Sequence, residues 1–386
     1  MIRSTGRIRV THQGTLPKPD DVRQMVLDKE AGKAYDAAAY NARLVAATRE
    51  AIQLQLDAGI DSINDGELSK VLFSSYINDR LTGVQTRESL PTDPRRRGVS
   101  DRDNQQFAAY FNSRTGFTGQ IAPGGPRTVC NAPIAYQGQA ALQTDLTNFQ
   151  AALQGFTVEE AYLPAVAPGT IEHFIQNDFY PNDEAFLFAL ADAMHDEYKA
   201  IVDAGFVLQI DDPDLPDAWQ MYPEFSLADY QKYATLRVDA LNHALRGLPE
   251  DMVRFHMCWG SYKGPHNYDL PLRDFIDIMY RVNAGSYSIE ATNPMHEHEW
   301  VVFKDHPLPD GKFLIPGVIG HANDFIEHPE LVAERVIKYA NLVGRENVVC
   351  GTDCGIGSRV GHPSIAWAKF RSMAEGARIA TKALWK

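Results

Sequence analysis

The sequence predicts an α/β fold, a TIM-type (β/α)8 barrel, and three observations carry that prediction. Helical stretches repeatedly close on a glycine and open into a short apolar strand. Eight such strands can be placed along the 386 residues. Carboxylates, imidazoles and thiols gather at the C-terminal ends of those strands, the end on which barrels of this type build their sites.

The joins come first. Leu44, Val45, Thr48, Ile52 and Leu56 recur at helical spacing and run into Asp57-Ala58-Gly59-Ile60. Leu187, Leu190, Met194, Tyr198 and Ile201 do the same before Asp203-Ala204-Gly205-Phe206. Asn283-Ala284-Gly285-Ser286 and Leu342-Val343-Gly344-Arg345 repeat the pattern. A glycine just past a helix supplies the left-handed residue that ends it. Helices alternating with buried strands indicate βα units and a parallel sheet.

The strand candidates are 8–12, 60–65, 161–166, 206–211, 252–257, 286–290, 313–318 and 347–351. Residues 84–157 break the rhythm with Asp93-Pro94-Arg95-Arg96-Arg97-Gly98, Pro123-Gly124-Gly125-Pro126 and a helical 140–155 stretch. That stretch is expected to be an insertion between strands two and three. Length alone would suggest two or three domains. One barrel over residues 1–386 with this insertion accounts for the same length.

Composition narrows the class. Apolar residues are 44% and charged residues 23%, as in globular proteins. No apolar run approaches the roughly 18 residues of a membrane span, and the N-terminus has no signal-peptide core. A net charge of −13 argues against nucleic acid or an anionic membrane as partner. Four cysteines cannot be a disulfide scaffold, so a reducing, cytoplasmic setting is expected. A small-molecule enzyme, with a homo-oligomer left open, is the expectation.

The chemistry concentrates on the strand ends: Asp65-Gly66-Glu67 after strand two, Asp211-Asp212-Pro213-Asp214 after four, His256-Met257-Cys258-Trp259 after five, Glu290 after six and Cys350-Gly351-Thr352-Asp353-Cys354-Gly355 after eight. His256 and Cys258 are two apart on a strand, so both side chains point to one side and reach one ion. Zinc favours sulfur, nitrogen and oxygen ligands in a tetrahedral shell. Glu290 and Cys354 would complete a two-cysteine, histidine and glutamate set. Spacing alone leaves a buried core His and Cys equally open.

Six segments in order resemble the cobalamin-independent methionine synthase family over roughly residues 8 to 375. His256-Met257-Cys258, Ser288-Ile289-Glu290 and Thr352-Asp353-Cys354-Gly355 look like its three zinc-ligand segments. Thr11-His12-Gln13-Gly14-Thr15-Leu16-Pro17 resembles its opening strand and Gly-Ser-Phe-Pro turn. Asp65-Gly66-Glu67 resembles a segment whose Glu holds the amino group of homocysteine, and Gln209-Ile210-Asp211-Asp212-Pro213 one whose Asp contacts the substrate amino acid. The resemblance implies zinc on His256, Cys258, Glu290 and Cys354, and substrate contact by Glu67, Asp211 and Thr15. It also implies a proton donor in the loop after strand seven, where His321 falls one position early. The chain has no room for the second, N-terminal barrel of full-length synthases. In that respect, and in Trp259-Gly260-Ser261-Tyr262-Lys263-Gly264-Pro265-His266, it looks more like the short relatives, which include epoxyalkane:coenzyme M transferases.

The implied function is transfer of a methyl or other small alkyl group from a carbon donor to a substrate thiol that zinc activates. Epoxide opening by a sulfonated thiol is the alternative, and a non-catalytic protein with a structural zinc is the second. Trp259 and Tyr262 are candidate pocket walls, or common rim aromatics. Met295-His296-Glu297-His298-Glu299 reads as a polar helix start rather than a second metal site. Cys350 and Cys130 read as buried core residues. Arg95-Arg96-Arg97 reads as solvated, with a grip on an anionic substrate tail as the other reading.

Overall fold

The computed structural model describes residues 1–88, 101–113, 127–357 and 359–386. Its eight barrel strands are β1 (Arg9–Val10), β2 (Ser62–Ile63), β3 (Glu160–Val166), β4 (Val207–Asp211), β5 (Val253–Met257), β6 (Ser286–Ile289), β7 (Phe313–Ile319) and β8 (Val349–Thr352). Consecutive strands from β2 to β8 pair in parallel, and β8 pairs β1 in the same sense. The seam between β1 and β2 is stitched by single bonds. Asp61 N donates to Val10 O at 2.8 Å, and the Asp61 carboxylate takes the Val10 amide at 2.8 Å. Thr11 Oγ1 adds a bond to Ser62 O at 3.0 Å. The fold is the TIM barrel that the alternation of helix and strand predicted.

Long helices cover the sheet, the first two of them where the apolar periodicity placed them. Ala37–Asp57 follows β1, Asp183–Asp203 follows β3, Leu227–Ala244 follows β4, Pro329–Val343 follows β7 and Pro363–Leu384 follows β8. Gly59, Gly205 and Gly344 take the positive φ expected of helix ends. Gly285 does not, because the preceding helix shrinks to Ile276–Met279. What requires glycine there is close approach: a Cβ would meet Met1 Cε at 2.6 Å and Glu250 O at 2.8 Å.

The segment between β2 and β3 divides in two. Its helix Gln139–Leu153 packs on Ala37–Asp57, and Phe149 stacks on Phe206 at 4.9 Å. That helix belongs to the barrel's outer ring, although the sequence reading placed it in the insertion. Ahead of it, Val84–Arg87, Arg127–Cys130 and Ile175–Asn177 form a small sheet whose last strand comes from beyond β3. A buried cluster latches this extra layer to the ring. Glu197 accepts from Arg80 Nη1 at 3.0 Å, Tyr136 Oη at 2.6 Å and Tyr76 Oη at 2.7 Å. Burial would raise the Glu197 pKa, but Arg80 and the two hydroxyls hold it below its usual value. The arginine run Arg95-Arg96-Arg97 lies outside the described residues. No helix among the described residues is long and apolar enough to cross a membrane.

The barrel interior is polar as well as packed. Alternation along β5 sends Arg254 and His256 inward while Phe255 joins the apolar core. Arg254 donates to Thr11 Oγ1 at 3.0 Å and lies over the Tyr162 ring at 3.9 Å. Tyr162 donates to His12 O at 2.6 Å, and Gln13 Nε2 to Ser288 Oγ at 2.6 Å. These bonds fix the floor on which the rim residues stand.

Candidate metal centre and cleft

β5 presents His256, and Cys258 follows one residue past its end. Cys354 follows β8 by two residues. The three bring their ligand atoms within 4.8 Å of one another, with Cys258 Sγ and Cys354 Sγ at 3.7 Å. His256 is buried, and neither ring nitrogen has a hydrogen-bond partner. An unpaired buried polar atom costs about 1–3 kcal/mol, so two on one ring call for something else to bind them. Two thiols and one free imidazole nitrogen are a donor set that suits zinc. The thiols already share their charge unevenly. A hydrogen bond from Cys258 is the largest of the effects that hold the Cys354 thiol well below its ordinary pKa, and the same contact pushes Cys258 up.

Glu290, just past β6, sits beside this trio in a second group. Its ligand atoms lie within 4.8 Å of those of His321 and Asp353. Glu290 Oε2 accepts the Trp259 amide at 2.9 Å, which ties the carboxylate to the residue after Cys258. Asp353 Oδ1 accepts the Ala291 and Thr292 amides at 2.8 and 3.0 Å, which joins the β6 and β8 loops. Gly317 makes room for that carboxylate, since a Cβ there would stand 2.1 Å from Asp353 Oδ1. Burial and the neighbouring Glu290 raise the Asp353 carboxyl to about 6. His321 Nε2 meets Ser261 Oγ at 2.9 Å, and its Nδ1 is buried without a partner.

The remaining predicted residues stand on the other side of the trio. Asp211 pairs with His256 in the β4–β5 register. Burial, with Glu67 and Cys354 close enough to add charge, lifts Asp211 to about 7 although His256 pulls the other way. Glu67 is buried in a left-handed conformation (φ 54°). Its carboxylate accepts from Thr15 Oγ1 and lies 3.3 Å from Lys70 Nζ. Thr15, Glu67 and Asp211 thus face the metal trio from one side, with Glu290, His321 and Asp353 on the other.

A cleft of about 390 Å³ opens over the second group, lined by Tyr110, Tyr262, His266, Glu290, His321 and Asp353 among others. Trp259 is not on its wall, contrary to the sequence expectation. Its indole is buried, donates to Leu270 O at 2.8 Å and stacks on His296 at 3.7 Å. Tyr262 does line the cleft. Cys350 is buried in β8, where burial raises its thiol, and Cys130 is buried in the small sheet, as expected for core residues. The 295–299 stretch opens the 3₁₀ helix Glu297–Lys304, with His296 and Glu299 turned inward. Sequence reasoning missed Asp353, His266 and Asp269. Asp353 stands beside Cys354 and offered a signal, whereas His266 and Asp269 acquire meaning only through contacts.

No family profile matches the chain. A methionine synthase of Saccharolobus islandicus is 22% identical over 377 residues, covering 96% of this chain and 94% of the relative. A methionine synthase of Thermococcus kodakarensis is 24% identical over 243 residues, covering 62% of this chain and 63% of the relative. Among solved structures, a B12-independent methionine synthase from Shewanella sp. W3-18-1, in complex with selenomethionine, superposes with a TM-score of 0.70. It is 19% identical, and the match covers 98% of this chain and 99% of that one. The resemblance carried by the six motif segments is borne out along nearly the whole chain, and the family this protein resembles is that of the cobalamin-independent methionine synthases.

Proposed function

We propose that this protein is a zinc-dependent alkyltransferase that moves a methyl group onto the thiol of homocysteine or a close analogue. The observation that carries the reading is His256. It is buried beside two thiols 3.7 Å apart, with both ring nitrogens free of hydrogen bonds. His256, Cys258 and Cys354 would hold the ion, and Glu290, which accepts the amide of the residue after Cys258, would supply an oxygen ligand. Zinc bound there would supply a thiolate at neutral pH, since a free thiol with a pKa of about 8.5 is mostly protonated.

The chain's own residues choose the substrate and manage the proton. Glu67, paired with Lys70, and Asp211 put two carboxyl groups beside the trio as acceptors for an ammonium group. That favours an amino-acid thiol over a sulfonated one, so epoxide opening by coenzyme M is the weaker reading. Thr15 holds Glu67 in place. His321, on the cleft side with one unpaired nitrogen, is placed to give a proton to the donor's leaving group. In the balanced step the sulfur–carbon bond forms, the carbon–donor bond breaks and that proton neutralises the departing atom. A purely structural zinc has no use for carboxylates and an open cleft beside it.

Mass-spectrometric assay of the zinc-loaded protein tests this with homocysteine and a panel of methyl donors: methyltetrahydrofolate, a methylated corrinoid and small sulfonium compounds. Methionine should form with at least one donor, and Glu67→Gln should raise the KM for homocysteine about tenfold, the worth of one charge-assisted contact. Turnover of coenzyme M with an epoxide, and none of homocysteine with any donor, would overturn the reading.

A further inference from the structure

From the cleft wall inward, four buried side chains form a chain of contacts that the proposed chemistry does not use. Asp269 Oδ2 faces His266 Nδ1 at 2.7 Å and His296 Nε2 at 3.1 Å. His296 Nδ1 faces Glu299 Oε2 at 2.8 Å, and His266 Nε2 faces the Tyr262 carbonyl at 3.1 Å. Each imidazole therefore has acceptors on both nitrogens. A neutral ring carries one N–H and would turn a lone pair onto an oxygen, whereas a doubly protonated ring satisfies both contacts. The carboxylates have their other oxygens occupied: Gln220 Nε2 donates to Asp269 Oδ1 at 2.9 Å, and the Leu272 amide to Glu299 Oε1 at 2.8 Å.

Each ring also lies flat against an aromatic from the loop that follows Cys258. Trp259 stacks on His296 at 3.7 Å and 16°, and Tyr262 on His266 at 4.1 Å and 26°. A desolvated cation is attracted to the negative face of an aromatic ring. Tyr262 Oη is held by Asp103 Oδ2 at 2.8 Å, and His266 itself sits at a positive φ of 54°. Glu290 adds negative charge towards His266 from the neighbouring loop, while burial and its acidic neighbours push the Asp217 carboxyl well above its ordinary range. Burial works against both cations, yet the facing carboxylates carry His266 and His296 to about 9.

We propose that Asp269 is a positioning residue: by holding His266 and His296 as imidazolium cations, it stacks Tyr262 and Trp259 in place and fixes the loop between Cys258 and the cleft wall. The protonation states stand on geometry alone. The kinetic consequence rests on the reading of the cleft as the seat of the carbon donor.

Nitrogen-15 imidazole spectra of the zinc-loaded protein at pH 8 test the first part, because an ordinary histidine with a pKa of about 6.5 is neutral there. Two doubly protonated histidines are expected, one removed by His266→Gln and the other by His296→Gln. In Asp269→Asn at least one of them should titrate about one pH unit lower, a tenfold loss of proton affinity. The same variant should raise the KM for the carbon donor about tenfold, with the thiol KM and zinc content unchanged, and Asp269→Glu should recover part of the loss. If Asp269→Asn does not fold, Glu299→Gln alone should neutralise His296 and raise the fluorescence of Trp259, whose indole an adjacent imidazolium quenches. The absence of doubly protonated histidines in the parent protein overturns the proposal. So does an Asp269→Asn protein with the parent's titrations and donor KM. If no thiol and donor pair turns over at all, it is the proposed function that fails, and the nitrogen spectra still decide this one.

Discussion

His256 and His296 stand on one barrel rim and are equally buried, each 2% exposed, yet their surroundings are opposite. His296 has a carboxylate on each nitrogen and an indole on its face. His256 has two thiols close by and no hydrogen bond on either nitrogen. Burial alone therefore does not mark a functional histidine. A ring whose every polar atom is spoken for holds structure together. A ring buried beside two thiols with no hydrogen bond on either nitrogen keeps one free to bind the proposed ion.

The sharpest way to break this contrast is to truncate the two rings in turn. His256→Gln should lower zinc content tenfold or more and cost the metal-free protein less than His296→Gln does, because no buried ion pair is broken. His296→Gln should keep the zinc and cost about 3 kcal/mol of unfolding free energy, since it leaves Asp269 and Glu299 buried without their cation. Elemental analysis and urea unfolding measure the two effects. If both variants lose zinc and stability together, the distinction between the two rings is lost.

A third histidine sharpens the comparison through pH. His12 is buried at the barrel floor, with Nε2 at 2.8 Å from Gln55 Oε1 and Nδ1 at 3.3 Å from Tyr162 Oη. Its partners are uncharged, and burial drives its pKa down to about 3, with Gln55 opposing and Arg254 assisting. A depressed histidine folds in the neutral form, so its stabilising contribution is present above the unfolded value near 6.5 and is lost as pH falls towards 3. Between pH 7 and pH 4 the protein should lose about 3 kcal/mol through this group. His12→Asn, which cannot take up the proton, should flatten that part of the stability curve. An unchanged slope in the variant would show that other groups carry the acid sensitivity.

How far the sequence reached depended on whether a signal was periodic, local or assembled by contact. The barrel was legible because the apolar spacing of Leu187, Leu190, Met194 and Tyr198 and the glycines at 59 and 205 are local facts. His256 and Cys258 were legible because period two on a strand fixes their common side. The outer-ring place of Gln139–Leu153 was not, since a helix beside an irregular segment looks the same whether it covers the barrel or extends the insertion. Trp259 misled for a related reason: its position on the rim was read correctly, but the contact with His296 that turns it inward lies 37 residues away in sequence. Asp269 carries no motif and His266 only closes the 259–266 segment, and their pairing with His296 and Glu299 exists only in the folded chain.

The central claim is that His256, Cys258 and Cys354 form a zinc site, and zinc-edge X-ray absorption with metal analysis tests it most directly. One zinc per chain is expected, with at least two sulfur neighbours at about 2.3 Å and a nitrogen at about 2.0 Å. Most of the metal should be lost in Cys258→Ser and in Cys354→Ser. Full zinc occupancy in both variants, or a shell without sulfur in the parent protein, would contradict the claim.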